Sequence, residues 1–214
     1  MKYFKSLMAL CVIAIISSII ILIFMRKDTK GLPSPITEDP DTKALTNAKA
    51  IFWDNYVPSI IEDDYKQLSS KASFKDTTNK VYTLTDIIGK RYKLVVRYSF
   101  IDCDLCVNAI MKEVKIAGDQ QSIKDVIAIT TSASDRDFLI RSRENQRPIK
   151  VYNVTDGSAG LIMENKNFPF MFVLTPDGRA IKIFPPMKEN VGQIKAYLTK
   201  VLDFVNTCNK NAGV

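Results

Sequence analysis

Histidine is absent from the 214 residues. Without imidazole there is no Ser-His-Asp or Cys-His nucleophile, no histidine metal ligand and no haem attached through Cys-x-x-Cys-His. Glycine is sparse at eight residues beside nine prolines, and 46% of the chain is apolar. Those figures exclude a collagen-like repeat and a wholly disordered chain. No internal repeat, low-complexity segment or dense Lys/Arg stripe with interleaved aromatics occurs, so no nucleic-acid partner is expected.

One long apolar run is present, from Leu7 to Met25, interrupted by Ser17 and Ser18. Its nineteen residues span roughly 28 Å as a helix, close to the hydrocarbon thickness of a bilayer. Lys2 and Lys5 flank it on one side, and Arg26, Lys27 and Lys30 on the other. No small-x-small cleavage site follows, and Met8-Ala9-Leu10 before Cys11 lacks the small residue that lipoprotein processing expects. The run therefore reads as an uncleaved single-helix membrane anchor within residues 1–30. Lys/Arg counts leave its orientation open; a short tail kept inside, with the rest exported to an extracytoplasmic space such as the periplasm, is the preferred reading. The anchor also accounts for much of the basic balance. Five Lys/Arg and one Asp in residues 1–30 contribute +4 of the net +7, leaving +3 for residues 31–214.

Residues 31–41 read as a Pro-rich tether. Residues 42–73 read as a helical preface: Leu45, Ala48, Phe52 and Tyr56 recur at helical spacing, and Pro58 is expected to kink or end the first helix. Ile60, Ile61, Tyr65 and Leu68 continue a second piece.

Residues 74–214 carry the domain. Strands are predicted over 81–84, 94–99, 126–130, 149–154, 170–174 and 180–184, the last two joined by the Pro176-Asp177-Gly178-Arg179 turn. Helices are predicted from Leu105 to Ile116 with Gly118 as a stop, from an Ser134 cap through Arg143, and from Asn190 onward. A small helical turn is predicted around 159–164. Strand-helix-strand-helix followed by a hairpin and a helix specifies an α/β sheet with an antiparallel edge.

The chemistry-bearing feature is Cys103-Asp104-Leu105-Cys106, placed where the 94–99 strand gives way to a helix. A thiol at a helix N-terminus faces unpaired backbone N–H groups that favour thiolate. A second thiol one turn on can resolve a mixed disulfide by attacking the first sulfur, so the pair moves two electrons without a cofactor. Phe168-Pro169-Phe170 opens the 170–174 strand, where a proline needs no ladder N–H.

Leu84-Thr85-Asp86, Gly89-Lys90, Leu94-Val95-Val96, Cys103-x-x-Cys106, Phe168-Pro169-Phe170 and Thr175-Pro176-Asp177-Gly178 follow in the order and spacing of one family. Over residues 74–206 the chain resembles the TlpA/ResA-like membrane-anchored thiol-disulfide oxidoreductases of the redoxin superfamily. The resemblance implies a thioredoxin-like fold behind an N-terminal transmembrane helix. It implies that Cys103 is the attacking thiol, Cys106 the resolving thiol and Pro169 a cis-proline beside them. It further implies protein thiol or disulfide substrates, recharging by a membrane electron-donor protein, and no cofactor.

The chain departs from that family around the first cysteine. Phe100-Ile101-Asp102 stands where a Trp and a small residue are usual, and Asp104-Leu105 lies between the thiols in place of the frequent Pro. The charges of Asp102 and Asp104 oppose thiolate formation, which favours a reductant over an oxidant. A peroxiredoxin requires Thr-x-x-Cys, and Phe100 holds the Thr position. Zinc requires two more ligands than Cys103 and Cys106, with Cys11 in the apolar run and Cys208 near the C-terminus, so no metal is expected. The alternative from another class is a thioredoxin-fold binding or assembly module whose Cys pair is a static disulfide.

Overall fold

The computed structural model describes residues 46, 49–50, 52–120, 123–144, 149–155, 158–187 and 190–213, nearly all of them in the compact unit Ala48–Val214. The expected anchor (1–30) and tether (31–41) lie outside the described residues. Among the described residues no helix is long and apolar enough to cross a membrane.

Seven strands form one mixed sheet: β1 Ser73–Lys75, β2 Val81–Thr83, β3 Lys93–Ser99, β4 Val126–Thr131, β5 Lys150–Val154, β6 Phe170–Leu174 and β7 Ala180–Phe184. The spatial order is β2-β1-β5-β4-β3-β6-β7. Strands β3, β4 and β5 run parallel, while β6, β7, β1 and β2 join antiparallel at the two sides. The helices are α1 Val57–Asp63, α2 Leu84–Ile88, α3 Asp104–Gln120, α4 Asp135–Glu144 and α5 Val191–Asn211. Two parallel β-α-β crossovers followed by an antiparallel hairpin and a closing helix make this a mixed α/β, thioredoxin-like fold.

Period-two alternation in the central strands feeds two cores. Leu94, Val96 and Tyr98 of β3 face one side, with Val107, Ile110 and Val114 of α3 and Ile194, Leu198, Val201 and Val205 of α5. Val95 faces the other side, with Phe74, Ile129, Phe170, Phe172 and the α2 residues Leu84, Ile87 and Ile88. Each fully buried Leu, Ile or Phe here stabilises the fold by about 1.5–3 kcal/mol. The central strands are therefore apolar on both faces, as parallel sheets require.

Three local expectations change, and one strand was not anticipated. Pro58 does not end a helix; it sits in the first turn of α1, where a missing N–H is harmless, behind a π-helical turn Phe52–Tyr56. Leu84 opens α2 instead of closing β2, because Thr83 and Asp86 form a capping box: Thr83 N–H donates to the Asp86 carboxylate at 2.8 Å, and Asp86 N–H donates to Thr83 Oγ1 at 3.3 Å. Gly118 does not stop α3, which runs on to Gln120; an interior glycine weakens a helix by only about 1 kcal/mol, less than the apolar face ahead of it supplies. Strand β1, three residues long, carries no readable alternation in the sequence.

The segment before the sheet is tied into it. Buried Asp63 at the end of α1 accepts from the backbone N–H of Ile162 at 2.9 Å and of Met163 at 2.7 Å. It thereby caps the 3-10 turn Ile162–Lys166 across about a hundred residues of chain. Residues 65–68 then run against β7: Tyr65 N–H donates to Ala180 O, Leu68 N–H to Gly178 O, and Ala180 N–H to Lys66 O.

Candidate active site

The C-terminal ends of the parallel strands lie on one edge of the sheet, and β3 leads there into the cysteines. Phe100 N–H donates to Thr131 O at 2.8 Å, extending the β3–β4 ladder one residue past Ser99. Asp102 then folds the chain back. Its buried carboxylate accepts from Ser99 N–H at 2.8 Å and Ser99 Oγ at 2.9 Å, and its own N–H donates to Ser99 O. Burial pushes the Asp102 carboxyl up from its ordinary value, against the Ser99 hydrogen bonds and the charge of Arg97.

Cys103 is the residue before α3. Its carbonyl accepts from the N–H of Cys106 at 3.0 Å and of Val107 at 3.1 Å, so it stands at the N-cap and Cys106 lies in the first turn. Cys103 is exposed, whereas Cys106 is 5% exposed. An accessible sulfur at the positive end of a seventeen-residue helix has the setting of an attacking thiol. The sulfur behind it is shielded from outside reagents. Asp104 shares its charge with Arg141 at 3.2 Å, both largely exposed, so its effect on the thiol is screened.

Pro169 reaches the same end of the sheet. The antiparallel register of β3 and β6 runs from Lys93↔Leu174 to Arg97↔Phe170, and one further step sets Pro169 across from Tyr98. The expected cis bond is not found: the Phe168–Pro169 peptide is trans. The chain reverses one residue earlier, at Asn167, which takes the left-handed conformation (φ 52°, ψ 41°) that asparagine tolerates. With the turn made there, the proline only has to start a strand.

Beneath this edge lies a buried ion pair that sequence reading missed. Arg97 of β3 is 3% exposed, and Glu164 of the 3-10 turn is 6% exposed. Arg97 Nε donates to Glu164 Oε1 at 2.5 Å and Nη2 donates to Thr131 Oγ1 at 2.6 Å, while Nη1 donates to Tyr98 O. Glu164 also accepts from Ser158 Oγ and from the N–H groups of Ala159, Gly160 and Leu161. Burial alone would raise the Glu164 carboxyl; Arg97 and these hydrogen bonds hold it below its ordinary value. A lone arginine inside the run Leu94–Ser99 was the available signal, since a buried guanidinium demands a carboxylate.

Over the same edge sits an aromatic group from the preface. The Tyr56 ring lies 5.3 Å from that of Phe168 (centroid to centroid) and 6.3 Å from that of Phe52. Beside the thiols in the chain, Phe100, Ile101 and Leu105 are exposed, Leu105 by 70%. Two grooves of about 340 and 370 Å³ occur elsewhere, against β7 and α5, with Phe204 and Lys182 in both linings. Among the described residues no group of three or more Cys, Asp or Glu is arranged to hold a metal.

No protein-family model matches the chain, and no curated protein does. Solved structures with a similar backbone include the thioredoxin domain of a thiol-disulfide oxidoreductase from Bacteroides vulgatus, at 14% identity, covering 64% of this chain and 98% of that one, TM-score 0.47. They also include the peroxidoxin BcpB from Mycobacterium tuberculosis, at 8% identity, covering 65% and 97%, TM-score 0.48. A third is a PrxQ variant from Xylella fastidiosa, at 13% identity, covering 64% and 94%, TM-score 0.48.

Proposed function

We propose that this chain is a thiol-disulfide oxidoreductase that reduces protein disulfides through Cys103 and Cys106. The observation that carries the reading is the pairing of an exposed thiol at the N-cap of α3 with a buried thiol in the same helix's first turn. The exposed Cys103 thiolate attacks one sulfur of a substrate disulfide, forms a mixed disulfide and releases one substrate thiolate. The Cys106 thiolate attacks the Cys103 sulfur, which releases the second substrate thiolate and leaves Cys103 and Cys106 joined. The two protons of the dithiol end on the substrate thiols, and two electrons have passed to the substrate.

Pro169, at the start of β6 on the edge where β3 ends, offers its strand end to an extended substrate segment. The apolar rim of Phe100, Ile101 and Leu105 supplies contact area for that segment. The run Leu7–Met25 anchors the chain in a membrane with the thiol domain in the extracytoplasmic space, where a membrane dithiol donor returns the pair to its reduced state.

Trapping tests this reading. A Cys106→Ser chain retains the attacking thiol and loses the resolving one, so mixed disulfides to substrate proteins accumulate and are released by reductant. Wild type, in redox buffers of graded potential, interconverts reversibly between dithiol and disulfide. A pair that stays oxidised in mild reductant, with no trapped adducts and with unfolding on forced reduction, establishes the static-disulfide module instead.

A further inference from the structure

The parallel strands have a second end, which the thiol chemistry does not use. Opposite the cysteines, the N-terminal ends of β3, β4 and β5 gather basic residues. Lys90, Arg91 and Lys93 lead into β3, Lys124 precedes β4 in the 3-10 turn Ile123–Asp125, and Lys150 opens β5. Strand register brings them together, since Leu94 lies across from Val126 and Ile127 from Lys150. The last turn of α5 ends beside them: Tyr92 N–H donates to Asn209 Oδ1 at 2.8 Å, Asn209 Nδ2 donates to Tyr92 O at 3.0 Å, and Lys210 follows. Asp125 is the carboxylate held among these cations. It is 2% exposed and accepts from Arg91 Nε at 2.7 Å and Nη2 at 2.5 Å, with Lys93 Nζ at 4.0 Å. Lys90, Lys124, Lys150 and Lys210 are exposed. Six cations and one carboxylate leave +5 here, more than the +3 of residues 31–214 as a whole. Burial lowers the Lys93 ammonium below its ordinary value, and Arg91 and Lys150 push the same way against Asp125. Like charges gathered on one face repel, and an anionic surface laid over them relieves that cost.

We propose that this basic edge is the face the domain lays on an anionic lipid bilayer, with Lys90, Lys124, Lys150 and Lys210 against headgroup phosphates and the thiol edge turned to the water. This rests on the reading of Leu7–Met25 as a membrane anchor. That anchor makes the bilayer the polyanion always within reach: 26 residues separate Met25 from Phe52, so the edge meets lipid at a high effective concentration. An acidic protein has no such tether. Each Lys or Arg near an anionic leaflet strengthens the attachment roughly fivefold. The two ends of β3 are roughly 20 Å apart, well beyond a Debye length of about 8 Å, so the lipid charge does not reach the thiols.

The test uses the full chain reconstituted into vesicles of phosphatidylcholine alone or of phosphatidylcholine and phosphatidylglycerol in equal parts. Lysines are acetylated with a membrane-impermeant sulfosuccinimidyl ester and located by mass spectrometry, and Cys103 is alkylated in parallel. Lys90, Lys124, Lys150 and Lys210 are expected to label roughly fivefold or more slowly in the anionic vesicles and to recover in high salt. Lys182, Lys200 and Cys103 are expected to label equally in both. The double variant Lys124→Glu, Lys150→Glu should lose the protection of Lys90 and Lys210. Equal labelling of the four lysines in the two lipids overturns the proposal and leaves the edge to an acidic protein; protection of Cys103 alongside them overturns it as well. Flotation of the same samples separates this from the anchor. A chain that floats with both lipids is anchored, and the labelling then decides the face. A chain that floats only with anionic vesicles at low salt lacks the span and keeps the basic face, and one that floats with neither has lost both.

Discussion

Arg97 and Glu164, 67 residues apart in the chain, meet 2.5 Å apart and join the end of β3 to the turn that leads into Pro169. The strand that ends in the cysteines and the loop that ends in the proline are thereby held as one unit. Breaking such a pair from one side leaves an uncompensated buried charge. Glu164→Gln is expected to destabilise the fold by about 3–5 kcal/mol, read from urea denaturation at neutral pH. The folded-state carboxyl lies below its unfolded value, so its contribution is present above the ordinary glutamate range and is lost as pH falls through the folded value. Wild type should therefore approach the variant's stability in acid. A constant gap down to the acid transition would contradict this assignment.

Asp102 carries the opposite sign. Its pKa is raised in the fold, so its contribution favours the folded state at low pH and fades as pH rises through the folded value. Asp102→Asn should gain stability relative to wild type on going from acid to neutral pH, while losing part of the Ser99 hydrogen bonding. Removing the charge beside Cys103 should also speed alkylation of that thiol at neutral pH. A slower reaction would show that the turn held by Ser99 matters more to the thiol than the charge does.

Burial separates the two thiols kinetically. In the reduced native protein Cys103 should react with iodoacetamide roughly tenfold or more faster than Cys106, and denaturation should abolish the difference. Peptide mapping after a short pulse gives the ratio directly. Equal native rates would contradict the resolving role proposed for Cys106.

Asp63 ties the preface to the site by capping the turn that contains Glu164. Asp63→Ala leaves two N–H donors without their acceptor and should lower stability by about 1–3 kcal/mol. Because the turn also positions Glu164 and the approach to Pro169, the variant's dithiol–disulfide equilibrium should shift as well. Calorimetry and redox titration of one preparation check both.

The proposed anchor is open to fractionation. The full chain should sediment with membranes and require detergent for release, and a chain beginning after Lys30 should remain in the supernatant. Salt-extractable full-length protein would exclude the spanning reading of Leu7–Met25.

The apolar runs Leu94–Val96, Val126–Ile129 and Phe170–Leu174, the Asn190 cap and the Cys-x-x-Cys at a strand-to-helix junction are all legible from local pattern. Periodicity, capping chemistry and burial are consequences of residues close together in the chain, so these features need no knowledge of the fold. β1 was missed because three residues carry too little alternation, and Pro58 was misread because one proline can end a helix or begin one. The sequence by itself determined a mixed α/β domain with two thiols one helical turn apart. Only the tertiary structure decided which thiol is covered, that Pro169 is trans, that Tyr56 packs on Phe168, that Asp63 caps the turn Ile162–Lys166 and that Arg97 pairs with Glu164. Those contacts join residues from roughly 65 to 110 positions apart, and their partners are brought together by the folding of separate elements onto one another, which no local pattern encodes.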